Sequence, residues 1–204
     1  MDPLVIIRAF YPRDTPLRRL LLKHSEQVRD KALAIAAASG AAVDESIVAA
    51  GAMLHDIGIG ACYAPSILCT GREPYIAHGF IGGAMLRCYG ACRGLDLEIF
   101  ARICERHTGS GLTPEDIRAQ NLPIPPGDYI PRTPEEKLIC LADKFFSKSG
   151  SMREKPLADI RRATIRFGAD ALARFDALCR EFQPNVGFKM SRRREEENAN
   201  RREE

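Results

Sequence analysis

The chain has 204 residues, 45% of them hydrophobic, enough for one substantial core and too few to make a second independent domain the expectation. Thirty basic against 27 acidic side chains leave a net charge of +3, which disfavours nucleic acid as the main partner because gripping a phosphate backbone takes a larger basic excess. The apolar run Leu4-Val5-Ile6-Ile7 is too short for a signal or membrane segment and is followed by Arg8, so a cytoplasmic protein without a membrane partner is expected.

In chain order, residues 1–14 read as an N-terminal extension, and a single domain covers 15–185. A first long helix is predicted from Thr15 to Ser39, with Pro16 suited to its first turn and Gly40 to its stop. A second begins near the capping residue Asp44 and runs into Gly58 and Gly60. A third follows Pro74 to about Tyr89, and a fourth spans Asp96 to His107, ending in Thr108-Gly109-Ser110-Gly111. A short helix starts at Pro114; the prolines at 123, 125, 126 and 131 then impose a stiff loop. Thr133-Pro134-Glu135-Glu136 opens a helix to about Ser147 with the spacing of a capping box. One last helix is predicted over 156–182. The tail at 186–204 is charged and has nothing to bury, so disorder or a solvated extension is expected there. Apolar residues recur three and four apart and no run alternates, so the fold class is all-α, a helical bundle of about six to eight helices. Seven cysteines lack any CxxC spacing and read as buried, reduced thiols.

Each of the four histidines falls on or at the end of a different predicted helix. His24 shares a helix face with Leu21, Val28 and Ile35; His55 with Ile47, Gly51 and Leu54; His78 with Ile81, Gly82 and Met85; His107 with Ile99, Ile103 and Cys104. Asp143 shares one with Ile139, Cys140 and Phe146. Any single inward histidine is best read as a core residue bonded to a carbonyl. Four of them converging with the aspartates Asp56 and Asp143 need something to bind, because buried carboxylates and imidazoles are costly when unpaired. A metal ion meets that need. His55 and Asp56 are neighbours about 100 degrees apart on a helix, and at a helix end they can still approach one ion from two sides.

At these positions the sequence resembles the HD superfamily of metal-dependent phosphohydrolases, in particular its HDIG subgroup. The likeness rests on His24, on His55-Asp56-Ile57-Gly58 and on Asp143 within Leu141-Ala142-Asp143-Lys144, a motif-bearing core over about 15–150. The resemblance implies a bundle of the HD type in which His24, His55, Asp56 and Asp143 hold a first metal. It also implies that Asp56 is shared with a second ion held by His78 and His107. Nitrogen-rich ligands suit two divalent transition ions, manganese, iron or zinc, better than magnesium. The activity so implied is hydrolysis of a phosphate ester or anhydride of a small phosphorylated substrate, a nucleotide above all. Metal-activated water would be the nucleophile, with Asp56 and Asp143 the catalytic carboxylates. Lys144, Lys148 and Arg106 are the candidate contacts to substrate phosphate. The alternative is a catalytically silent HD module that binds metal or nucleotide and serves regulation; a homo-oligomer is compatible with either.

Overall fold

A computed structural model describes residues 1–184, so the charged tail at 186–204 lies outside the described residues. Nine α-helices form among the described residues. Seven correspond to or contain the helices expected from periodicity, and the other two arise from a missed helix and a divided one.

The missed helix is α1, Pro3–Phe10, inside the supposed extension. Its start signal was present in the sequence: Asp2 caps it by accepting from the Leu4 amide at 2.8 Å, and Pro3 occupies its first turn. The run Leu4 to Ile7 is half of an amphipathic helix, with Ile6 and Ile7 buried. The divided helix is the last one. α8, Leu157–Thr164, gives way to a short 3-10 turn and Gly168 at φ 107°, and α9, Ala169–Phe182, restarts beyond it.

Between them, α2 spans Pro16–Ser39, capped by the Thr15 side chain and closed by left-handed Gly40. α3 is Glu45–Leu54, α4 His78–Arg93, α5 Glu98–Arg106, α6 Pro114–Ala119 and α7 Pro134–Asp143. The second predicted helix therefore ends earlier than expected, before His55, and a 3-10 turn carries Ile57–Ala61. The chain from Cys62 to Pro74 forms strands β1, Cys62–Ala64, β2, Cys69–Thr70, and β3, Glu73–Pro74, in the order β2-β1-β3. Strands of two or three residues are too short to show a period.

α2 packs against α3 and α7, and α4 against α5. Two apolar clusters result. One joins Val28, Val48, Ile103, Leu138, Phe145, Phe175 and neighbours from α2, α3, α5, α7 and α9. The other joins Ile6, Leu21, Leu54, Ile57, Leu86, Cys104 and neighbours. The inward stripe of α2 crosses from one to the other, with Leu21 in the second cluster and Val28 in the first. His24 lies at the crossing. All seven cysteines are free thiols, but Cys88 and Cys92 are exposed on α4 rather than buried. No helix among the described residues is long and apolar enough to cross a membrane.

Candidate metal centre

Five elements deliver the polar cluster: the middle of α2, the turn after α3, the start of α4, the residue after α5 and the end of α7. Helix ends are where side chains can leave the apolar stripe without exposing it. His24, His55, Asp56, His78 and His107 are all at least 96% buried, and the Asp143 side chain is 12% exposed.

Asp56 is the hub. Its Oδ2 lies 3.2 Å from His24 Nε2 and 3.1 Å from His55 Nε2, while its Oδ1 lies 3.3 Å from His78 Nε2 and 3.4 Å from His107 Nε2. Asp143 Oδ1 completes the first side, 3.0 Å from His24 Nε2 and 3.6 Å from His55 Nε2. Two ligand sets follow, His24-His55-Asp56-Asp143 and Asp56-His78-His107, each with donor atoms within 4.8 Å of one another.

The hydrogen bonds of the rings test whether these atoms suit a cation. Nδ1 of His55 donates to the Ala52 carbonyl at 2.7 Å, Nδ1 of His78 to Tyr75 at 2.6 Å and Nδ1 of His107 to Cys104 at 2.7 Å. With its proton on Nδ1, a neutral imidazole presents a bare lone pair at Nε2. Yet Nε2 of His78 faces Nε2 of His107 at 3.0 Å, and His55 Nε2 and both Asp56 oxygens accept or donate no well-formed hydrogen bond. Lone pairs and carboxylate oxygens converging in a buried space are repulsive unless a cation lies among them, so the residues fit divalent metal.

Charge is compensated from one side by lysines. Lys148 Nζ is 2.6 Å from Asp56 Oδ2; Lys144 Nζ is 2.8 Å from Asp143 Oδ2 and donates to the His107 carbonyl at 3.1 Å. Burial works against ionised Asp56, yet His55, Lys148, His107 and His24 hold its carboxyl well below the usual range. The same balance, with Lys144 and Lys148 leading, keeps Asp143 ionised. Burial opposes a charged His55, but Asp56 and Asp143 push it up to about 9, so with no ion bound a proton takes the place at Nε2 that a metal ion would fill. Burial dominates at His107, which is pushed down to about 3.

The structure thus brings together eight of the nine residues singled out from sequence. Arg106 is not brought there. Its guanidinium makes two 2.9 Å contacts to the buried carboxylate of Glu136, which pulls it away toward the start of α7. Two tyrosines that periodicity did not single out support the cluster. Tyr75 stacks on His78, ring centroids 4.6 Å apart, and lines a cavity of about 330 Å³ beside Asp143, Lys148, Ser147 and Ser149. Tyr11 donates to the Ile57 carbonyl at 2.6 Å and accepts from the Gly60 amide at 2.9 Å, clamping the turn after the His-Asp pair. A lone aromatic in a loop carries no sequence signal of such a contact.

A family model described as HD domain matches residues 21–147, and the chain belongs to the HD domain family. The match contains all six histidines and aspartates of the cluster; Tyr11, Lys148, α8 and α9 fall outside it. Among named relatives, the chain is 36% identical over 140 residues to a tRNA (cytidine(56)-2'-O)-methyltransferase of Picrophilus torridus, covering 69% of this chain and 35% of that protein. A protein of the same name from Thermoplasma volcanium is 30% identical over 155 residues, covering 76% of this chain and 40% of the relative. An uncharacterized protein of Methanocaldococcus jannaschii is 40% identical over 122 residues, 60% of this chain and 61% of that one. The chain therefore spans well under half the length of the two methyltransferase-named relatives it matches. No solved structure matches the chain.

Proposed function

We propose that this chain is a metal-dependent phosphohydrolase of the HDIG subgroup, acting on a phosphate ester or anhydride of a small substrate, a nucleotide above all. The observation that supports it best is the division of Asp56, whose two oxygens face two separate imidazole pairs at 3.1–3.4 Å. In this reading His24, His55, Asp56 and Asp143 hold one ion, and Asp56, His78 and His107 a second. The mixed nitrogen and oxygen donors suit manganese, iron or zinc rather than magnesium. Bound there, such ions would supply an acidified water and neutralise phosphoryl charge.

The chain's own groups do the rest. Asp143, the most accessible of the six, would orient the attacking water by accepting a hydrogen bond from it while remaining ionised. Lys148 and Ser147, on the wall of the adjoining cavity, bind the phosphate oxygens. Lys144 steadies the charge of Asp143 and the carbonyl of His107 while presenting its remaining donor to substrate.

Asp56→Ala tests the reading. Metal content measured by elemental analysis should fall by at least half, and phosphate release from a mono-, di- and cyclic nucleotide panel by roughly 100-fold or more. A variant that keeps both its metal and its turnover refutes it.

The names of the two methyltransferase relatives favour a second reading, in which the HD portion binds metal or nucleotide in the service of a tRNA-directed protein. It reopens nucleic acid as a partner, which net charge alone disfavoured. Methyl transfer is not carried over, because the match covers only 35% and 40% of those proteins. Binding of tRNA by wild type, with no phosphate released from any nucleotide, would favour this second reading.

A further inference from the structure

A second cavity, larger than the one beside Tyr75, lies next to the candidate metal centre. It encloses about 430 Å³ between the turn at residues 108–111, α6 and the helices α8 and α9. It is lined by Lys144, whose ammonium is 2.8 Å from Asp143 Oδ2, and by Thr108, which follows His107 directly. Ile76 lines it while the adjacent Tyr75 lines the smaller polar cavity, and Lys144 lines it while Asp143 lines the smaller one, so the two spaces are neighbours beside the same residues.

We infer that this cavity holds the nucleoside part of a mononucleotide whose phosphate lies at the metal centre. For the position of the phosphate, the inference rests on the phosphohydrolase reading. The walls are apolar, built from Leu112, Ile160 and Phe175, with Phe167 at the rim, 62% exposed and able to offer an aromatic face. Gln120 supplies donor and acceptor groups of the kind a base edge takes up. The volume is that of a small-molecule pocket, and far below what a folded nucleic acid would need.

Charge narrows the occupant further. Asp116 is paired with Arg174 at 2.6 Å, Asp159 with Arg162 at 3.4 Å and Lys144 with Asp143. Lys155 lines the cavity with no carboxylate within 4 Å among the described residues. The uncompensated charge is positive, which suits a neutral or anionic group and disfavours an amine-bearing one. One side of the cavity, with Ile160, Ala163, Phe167 and Phe175, comes from the α8–α9 region, beyond the stretch that matches the family at 21–147. The part of the molecule that would read the substrate is therefore built jointly by the metal-holding segment, through Leu112 and Gln120, and by the helices that follow it.

Calorimetric titration of the metal-loaded protein with the four common ribonucleoside monophosphates, and separately with inorganic phosphate, tests this. At least one nucleotide should bind about tenfold or more tightly than phosphate. Ala163→Trp, which fills the cavity from an exposed position on α8, should abolish that advantage while leaving phosphate affinity within about twofold. Phe167→Ala, at an exposed rim position, should weaken nucleotide binding about threefold or more and leave the melting temperature unchanged. Nucleotides that bind no better than phosphate, or that ignore both substitutions, overturn the inference. Nucleotides that bind through the cavity but are not hydrolysed leave the inference standing and remove the phosphohydrolase reading instead.

Discussion

Two close approaches set the geometry around Asp56: the ring of His78 against Oδ1, and the backbone of Gly58 against the start of α4. A Cβ on Gly58 would lie 2.2 Å from the His78 carbonyl and 2.6 Å from the Gly82 amide, both backbone atoms that cannot swing aside. Gly58→Ala should therefore push α4 outward, costing about 1–3 kcal/mol in chemical denaturation and lowering metal content with it. An unchanged midpoint would show that the turn is looser than it looks. The histidines and aspartates were legible in the sequence because burial makes such residues conspicuous: an imidazole three or four residues from Leu, Val and Ile has only the interior to point into. The cations were not legible in the same way. Lys148 and Arg106 look alike in sequence as flexible charges near the motif, and tertiary packing alone sends the first to Asp56 and the second to Glu136.

At the scale of elements, α7 shows how a local signal and a distant contact share one residue. Thr133 accepts from the Glu136 amide, and Glu136 returns to the amides of Thr133 and Arg132, the capping box that the spacing predicted. The same buried carboxylate also binds Arg106 and so ties the start of α7 to the end of α5, one residue before His107. Removing one partner leaves the other charge uncompensated, so Arg106→Ala should cost about 3–5 kcal/mol of stability. The KM for a hydrolysed nucleotide should not change, and a rise in KM with stability intact would return Arg106 to the role of phosphate contact. α1 was hidden for a different reason. The run Leu4 to Ile7 has no polar residue to mark a period, and only the Asp2-Pro3 start signal distinguished a helix there from an unstructured end. The break at Gly168 was masked because Ile165 and Phe167 read as a continuation of the apolar pattern, although they are 56% and 62% exposed.

For the whole molecule, the candidate metal centre lies where the two apolar clusters meet, and it joins residues as distant in sequence as His24 and Asp143. Ions that bind only the folded chain stabilise it by about 2.7 kcal/mol at a hundredfold excess over Kd. For a domain of this size that is a rise in melting temperature of about 5–10 °C on adding manganese to chelated protein. A melting temperature indifferent to chelation and reloading would mean that the cluster holds no ion in solution. The ring hydrogen bonds of the centre carry a last implication. His55, His78 and His107 are each aimed by the carbonyl of the residue three positions before them, at Ala52, Tyr75 and Cys104. A carbonyl is the one acceptor that every amino acid brings, so the aim of these three rings is written in the path of the main chain. Sequence drift at 52, 75 or 104 can alter packing but cannot erase the aim, and the centre's genetic weak points are the six histidines and aspartates themselves, Gly58 with its backbone contacts, and any proline that would bend those helix ends.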